Sequence, residues 1–233
     1  MAVTHPAPLP DDVEFIYVGD PMCSWCWGFA PVLEAMTEHF TIPIRTVVGG
    51  LRPGPNAEVL DERMRAFLAH HWDEVSERSG QPFDHVGLDR ADWRYDTELP
   101  ARAVVTVREL APDSTLAFFT RLQRAFYAEA VDVTDPEVYP DLVADFPVDA
   151  DEFTTRLGSE ASKQAAWRDF AEARQFGVAG FPSLLLRLGD EHAVVTRGYQ
   201  PWEQLEPVLS GWLRDRYGTD ATAGLFCDLD GNC

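Results

Sequence analysis

The sequence is poor in lysine and in basic charge, and each shortage excludes a class of chemistry. Of the 233 residues, 39 are acidic and 19 are basic, which gives a formal net charge of −20. Such a surface repels polyanions, so we expect neither nucleic acid nor an anionic membrane as a partner. Lys163 is the only lysine. A Schiff-base mechanism therefore has one candidate, and it lies in an ordinary helical pattern.

Several other signatures of location and function are missing. No apolar run approaches the roughly 18 residues of a membrane-spanning helix. Met1–Asp12 has neither the basic start nor the apolar core of a secretory signal, so we expect a cytoplasmic protein, in which disulfides are rarely structural. The Gly-x-Ser-x-Gly turn of serine hydrolases and the Gly-x-Gly-x-x-Gly loop of dinucleotide-binding proteins are also absent.

The four cysteines form two pairs, and the first pair has a distinctive setting. Cys23 and Cys26 follow the strand-like run Val13–Val18 and open a helix-like segment. A thiol at a helix N-terminus faces unpaired backbone N–H groups and the positive end of the helix dipole, and both favour the nucleophilic thiolate. The second sulfur, one turn further on, can attack a mixed disulfide held on the first. The spacing therefore indicates a redox site.

Two other interpretations of the first pair are weaker. A zinc site needs a second pair of ligands, yet Cys227 and Cys233 have no histidine nearby, and His70 and His71 are adjacent and point to different sides of a helix. A structural disulfide across so short a loop would constrain the unfolded chain little. We therefore expect no metal, and a cysteine pair that cycles between dithiol and disulfide.

Hydrophobic patterns predict the element order β-α-β, a long helical segment, then β-β-α. The predicted strands are Val13–Val18, Ile42–Val48, Ser183–Leu188 and His192–Thr196. The first predicted helix runs from the first cysteine pair to Phe40, and the last spans Pro201–Tyr217. Five more are predicted between the second and third strands, at Glu58–Glu77, Leu99–Leu110, Thr115–Ala130, Pro136–Asp145 and Ser159–Phe176. One sheet folded from both ends of the chain, with a helical domain inserted, explains this order most economically.

A proline stands immediately before the third strand, in the loop Gly177–Ser183. It could be an ordinary trans turn proline, because only about 5–6% of X-Pro bonds in folded proteins are cis. In this strand order, however, the loop lies beside the helix start that carries Cys23. A cis bond between Phe181 and Pro182 would expose the backbone of Phe181 to an extended substrate, which could then add a short β pairing.

Taken together, these features resemble the DsbA-like branch of the thioredoxin superfamily, and Asp20–Phe29 resembles its FrnE-like and predicted protein-disulfide-isomerase groups. The resemblance implies an α/β thioredoxin fold with a central mixed sheet and an inserted all-helical domain. Residues 12–56 and 177–218 would form the discontinuous thioredoxin-like domain, 57–176 the insert and 219–233 a C-terminal tail.

The resemblance also implies roles for individual residues. Cys23 is the attacking cysteine, Cys26 the resolving cysteine and Pro182 the cis-proline. We expect Ser24, Trp25, Phe181 and Pro182 to contact the substrate. Ser24–Trp25 replaces the histidine-containing dipeptide of the strongly oxidising periplasmic enzymes, and Phe181 replaces the small or β-branched residue common before that proline. Both departures argue against a strong oxidant.

The expected activity is thiol–disulfide exchange on protein or small-molecule disulfides. It needs no cofactor beyond the redox-active cysteine pair, with glutathione or a thioredoxin-type reductant as electron partner. The alternatives are a glutathione-dependent isomerase or transferase of the kappa class, which shares the fold but has serine in place of Cys23, and a non-catalytic adaptor. The second pair, Cys227 and Cys233, resembles an auxiliary redox pair of some FrnE-like proteins; otherwise it is an inert tail.

Overall fold

Strands from both ends of the chain enclose a long helical segment. The computed structural model describes residues 13–222, and their side chains as far as residue 216. The strands within this range are β1 (Val13–Gly19), β2 (Ile44–Val48), β3 (Glu58–Val59), β4 (Arg94–Tyr95), β5 (Ser183–Leu188) and β6 (Glu191–Arg197). The α-helices are α1 (Ser24–His39), α2 (Glu62–Ser79), α3 (Glu98–Leu110), α4 (Thr115–Ala128), α5 (Tyr139–Val143), α6 (Ala150–Leu157), α7 (Glu160–Gln175) and α8 (Trp202–Thr222).

The main sheet is mixed and has the strand order β2-β1-β5-β6. The central strand β1 runs parallel to β2 and antiparallel to β5, and β5 forms a hairpin with β6. Phe15 and Tyr17 pack into the larger core cluster, whereas Ile16 and Val18 pack into the smaller one. A strand buried on both faces reads as a continuous apolar run. The predicted α/β fold with a central mixed sheet is therefore confirmed.

Helix α1 continues through a proline. Pro31 lies inside it and cannot donate the usual backbone hydrogen bond to the carbonyl of Trp27, four residues earlier. The side chain of Gln81 instead donates to that carbonyl at 3.1 Å. The indole N–H of Trp27 donates in turn to the carbonyl of Pro82 at 3.0 Å. The loop that follows α2 thus compensates for the proline in the helix that carries the cysteine motif.

The inserted segment is helical apart from one short ribbon. Strands β3 and β4 pair over two residues each, antiparallel, so the first helix of the insert begins at Glu62 rather than at Glu58. Asp61 caps it by accepting a hydrogen bond from the backbone N–H of Met64 at 2.7 Å. Helix α6 was not predicted from the sequence; Asp149 caps its first turn.

An ion pair with a buried carboxylate ties the insert to the sheet. Asp169 on α7 accepts two hydrogen bonds at 2.8 Å from the guanidinium of Arg108 on α3. It also accepts one from the backbone N–H of Val48, at the end of β2, at 3.0 Å. Arg108 donates further to the carbonyl of Thr46 at 2.9 Å. These contacts hold α3 and α7 against β2, beside the loop that enters the candidate site.

Candidate active site

The cysteine motif lies at the junction of β1 and α1. Cys23 is the N-cap residue of α1 and its carbonyl accepts hydrogen bonds from the backbone N–H groups of Cys26 at 2.9 Å and Trp27 at 3.1 Å. Both cysteines are free thiols. Cys23 retains 7% of its surface exposed, and Cys26 has none. The motif therefore presents one thiol at the surface of a cavity and keeps the other inside the protein.

The loop before β5 meets the outer thiol. The peptide bond between Phe181 and Pro182 is cis, as predicted. The thiol of Cys23 donates a long hydrogen bond to the carbonyl of Phe181 at 3.7 Å. Gly49 makes room for the ring of Phe181, because a Cβ at that position would lie 2.1 Å from a ring carbon. The bulky residue before the proline is thus accommodated by a glycine on the neighbouring loop.

A buried carboxylate joins the motif to that neighbouring loop. Asp20 accepts hydrogen bonds from the backbone N–H groups of Met22 at 2.9 Å and Leu51 at 2.7 Å. Burial raises the pKa of Asp20 to about 6, although these two hydrogen bonds oppose the rise. Asp20 was not identified from the sequence as a functional residue. An acidic residue directly after an apolar strand was the available signal.

The layer beneath the thiols is polar but closed to solvent. Burial raises the pKa of the Cys26 thiol well above its usual value, and the neighbouring Cys23 raises it further. The hydroxyl of Tyr95 donates to the carbonyl of Met22, inside the motif turn. Tyr17 on β1 is fully buried, and burial, with a smaller effect from the nearby Cys26, raises the pKa of its hydroxyl well above the usual value. Neither tyrosine was identified from the sequence.

An open cavity of about 490 Å³ lies in front of Cys23. Ser24, Trp25 and Phe181, three of the four residues expected to contact a substrate, line it with Cys23. Pro182 is buried and is not among its lining residues. The sequence-predicted residues 23–26, 181 and 182 are therefore brought together, whereas Cys227 and Cys233 lie outside the described residues and their auxiliary role stays a prediction.

The charge of the cavity is opposite to that of the chain. Arg52, Arg174 and His71 line it, and none of the described lining residues is Asp or Glu. Arg52 pairs with Glu58 at 3.1 Å, outside the lining, and Arg174 is exposed. In a chain of net charge −20, this arrangement makes the cavity a locally cationic opening.

Aromatic side chains form one wall of the cavity. The indole of Trp25 meets the ring of His71 edge-on at 5.7 Å and packs on Tyr199 at 5.4 Å. The guanidinium of Arg78 lies 4.9 Å from the centre of the Trp25 ring. Phe67 stacks on His71 and remains 55% exposed. Helical periodicity assigns such aromatic side chains to a core, so neither Phe67 nor His71 was identified from the sequence as part of a site.

Metal and membrane features are not found in the part of the chain that the structure describes. Among residues 13–222, no group of three or more His, Cys, Asp or Glu side chains is placed to hold a metal ion. Nor does any helix in this range combine the length and apolar character needed to cross a membrane.

Comparison with known structures gives close fold matches. A candidate protein disulfide isomerase from Nitrosomonas europaea is 34% identical, with a TM-score of 0.77, covering 88% of this chain and 99% of its own. The cytosolic disulfide reductase DsbM from Pseudomonas aeruginosa, also solved with GSH, is 23% identical with a TM-score of 0.72, covering 86% of this chain and 98% of its own.

Curated relatives are more distant. The ClpXP adapter protein SpxH of Halalkalibacterium halodurans is 23% identical over 202 residues, which cover 83% of this chain but 65% of that protein. SpxH of Bacillus licheniformis is 22% identical over 212 residues, with 87% and 68% covered. The chain thus spans about two thirds of the length of these relatives.

The family model matches most of the chain. Residues 16–210 match the model of the DSBA-like thioredoxin domain. This range begins in the central strand and ends in α8, so it includes both thiols, the inserted helices and the cis-proline loop. Together with the 34% identity over nearly the whole Nitrosomonas protein, the match establishes that the chain belongs to the DSBA-like thioredoxin domain family.

Proposed function

We propose that the protein is a cytoplasmic thiol–disulfide oxidoreductase that works through Cys23 and Cys26. The observation that carries the proposal is the placement of two free thiols at the start of α1, the outer one in an open cavity and the inner one buried directly behind it. Such a pair supports two successive exchanges on one substrate disulfide.

The exchange runs in two balanced steps. The Cys23 thiolate attacks a disulfide R–S–S–R′, forms Cys23–S–S–R and releases R′S⁻. Cys26 then attacks the Cys23 sulfur, forms the Cys23–Cys26 disulfide and releases the second thiol, RSH. The substrate disulfide is reduced by two electrons and the cysteine pair is oxidised. The difference in solvent exposure between the two thiols supports this order, because only Cys23 faces the cavity.

The cavity favours small anionic thiols and disulfides such as those of glutathione. Its volume of about 490 Å³ falls within the range of small-molecule sites. Arg52 and Arg174 in the lining complement carboxylates, and no described lining residue is acidic to oppose them. The related DsbM was solved with GSH, although at 23% identity that likeness extends to the fold alone. We therefore propose glutathione as the electron partner.

Equilibration against a glutathione series tests the function directly. We expect the Cys23–Cys26 pair to have a reduction potential nearer to the roughly −270 mV of thioredoxin than to the roughly −120 mV of DsbA, because the Ser24–Trp25 dipeptide lacks a histidine. Intact-protein mass spectrometry of each mixture should show a loss of two hydrogens on oxidation. A pair that stays reduced across the whole series would refute the function.

A non-catalytic adaptor is the second candidate, favoured by the curated SpxH relatives. An adaptor would bind its partner through a surface and not through thiol chemistry. A Cys23→Ser, Cys26→Ser double variant separates the two: partner capture would persist for an adaptor, and disulfide exchange would be lost for an oxidoreductase.

The kappa-class alternative is disfavoured by the presence of cysteine at both positions.

A further inference from the structure

The hydroxyl of Tyr17 is buried without a hydrogen-bond partner. Tyr17 has no exposed surface, and its oxygen is among the described buried polar atoms that make no hydrogen bond. Buried polar groups are usually paired, so such an exception calls for a reason. The ring is held firmly: it stacks on Phe29 at 6.2 Å and meets Phe119 edge-on at 5.4 Å.

The chain also leaves space for this hydroxyl. Gly19 lies two residues after Tyr17 and therefore on the same face of β1. A Cβ at Gly19 would lie 2.4 Å from the Tyr17 oxygen. The absence of a side chain at Gly19 thus permits the position of the hydroxyl, which is fixed by packing and not by a hydrogen bond.

The groups that face the hydroxyl belong to the redox motif. The ring stacks on Phe29, which follows Cys26 by three residues on α1, and the hydroxyl lies beside Gly19, directly before the motif. Burial raises the pKa of Tyr17, and the nearby thiols and the Asp20 carboxyl raise it further. The inner thiol is fully buried, so its thiolate is costly to form there. Burial and the neighbouring Cys23 raise the pKa of the Cys26 thiol, and the Tyr17 hydroxyl opposes that rise.

We propose that Tyr17 donates a hydrogen bond to the sulfur of Cys26 while Cys26 attacks the mixed disulfide on Cys23. The proposal rests on the proposed function and concerns its second step. In that step the Cys26–Cys23 bond forms, the bond from Cys23 to the substrate sulfur breaks, and the Cys26 proton leaves with the departing thiol as RSH. Tyr17 keeps its own proton and stabilises the Cys26 thiolate from which the attack starts.

Pre-steady-state exchange isolates the step. Reduced protein is mixed with a chromogenic aromatic disulfide that releases one coloured thiolate per exchange. The first phase reports attack by Cys23 and the second reports attack by Cys26; Cys26→Ser should show the first phase only. Tyr17→Phe should slow the second phase about tenfold or more, as expected for loss of a hydrogen bond to a charged group. It should also shift the pH profile of that phase to higher pH.

Two further variants make the test decisive. Tyr139→Phe removes the hydroxyl of another fully buried tyrosine, which donates to the carbonyl of Val133 at 2.7 Å; it should leave both phases unchanged. Difluorotyrosine at position 17 is a stronger donor and should move the second-phase profile to lower pH. An unchanged profile with either substitution at Tyr17 would overturn the proposal. A wild-type protein without a first phase would instead refute the oxidoreductase function.

Discussion

The space in front of Cys23 and the layer behind Cys26 differ in almost every physical respect. In front lies an open cavity of about 490 Å³ with Arg52 and Arg174 in its lining. Behind, Tyr17, Asp20 and Cys26 have no exposed surface. Burial raises the pKa of each of these three groups, whereas solvent reaches the charged side chains in front. Two thiols one helical turn apart therefore operate in different environments.

This contrast separates two tasks of the site. Charges at an open cavity act on the encounter with a partner and are screened by salt. Groups in a closed, low-dielectric layer act on ionisation and on the chemical step. Changes in front should therefore alter affinity and charge selectivity, while changes behind should alter pH dependence and the rate of the second exchange.

The largest effect is expected when each of the two thiols is replaced by serine in turn. Cys23→Ser should abolish reduction of a disulfide substrate, because no other described thiol faces the cavity. Cys26→Ser should retain the first exchange and accumulate a mixed disulfide, because the resolving sulfur is missing. Turnover assays combined with intact-protein mass spectrometry measure both outcomes. Normal turnover by Cys23→Ser would show that the cavity thiol is not the nucleophile.

The next effect tests the buried layer through Asp20. Its pKa in the folded protein is about 6 and its ordinary value is 3.8, so the folded state holds this proton more tightly. Stability should therefore fall as pH rises from about 4 to 6 and level off above that. The difference between the two pKa values corresponds to roughly 3 kcal/mol.

Asp20→Asn should remove this pH dependence while lowering stability overall, because an amide nitrogen would face one of the two backbone donors now bound by the carboxylate. Urea unfolding of the reduced protein at a series of pH values measures it. Asp61→Asn, at the exposed start of α2, is the control and should keep the wild-type slope. An unchanged slope in Asp20→Asn would assign the pH dependence to other groups.

The sequence predicted the main sheet and the cis bond before β5, because both follow from local patterns. The strands of the main sheet occur within two residues of their predicted ends, and the Phe181–Pro182 bond is cis. The ribbon of β3 and β4 escaped prediction, because a two-residue pairing leaves no periodic signal. The positions of Tyr17 and His71 at the site depend on tertiary packing, and periodicity describes them only as parts of a strand and a helix.

A smaller effect is expected where the two regions meet, at Gly49. A Cβ there would lie 2.1 Å from the ring of Phe181, so Gly49→Ala should displace that ring and destabilise the protein by about 1–3 kcal/mol. Adding Phe181→Ala should recover part of the loss, because the clash disappears. Thermal unfolding measures both. Gly180→Ala is the control, since a Cβ at Gly180 meets nothing within 4 Å. Equal stability of Gly49→Ala and Gly180→Ala would contradict the tight packing.

The smallest expected effect lies in the open front, where solvent weakens each charge. Arg52→Gln combined with Arg174→Gln should raise the KM for glutathione disulfide several-fold, equivalent to about 1 kcal/mol, and leave kcat nearly unchanged. High salt should reduce the difference between the variant and the wild type, because exposed charges are screened. A neutral disulfide, dihydroxyethyl disulfide, should be reduced equally well by both proteins.

The control for a change of net charge away from the cavity is Arg156→Gln, because Arg156 pairs with Glu152 on α6. An equal rise in KM for the neutral disulfide would show that the arginines shape the cavity rather than select anionic partners, and the division of tasks between front and back would then fail at the front.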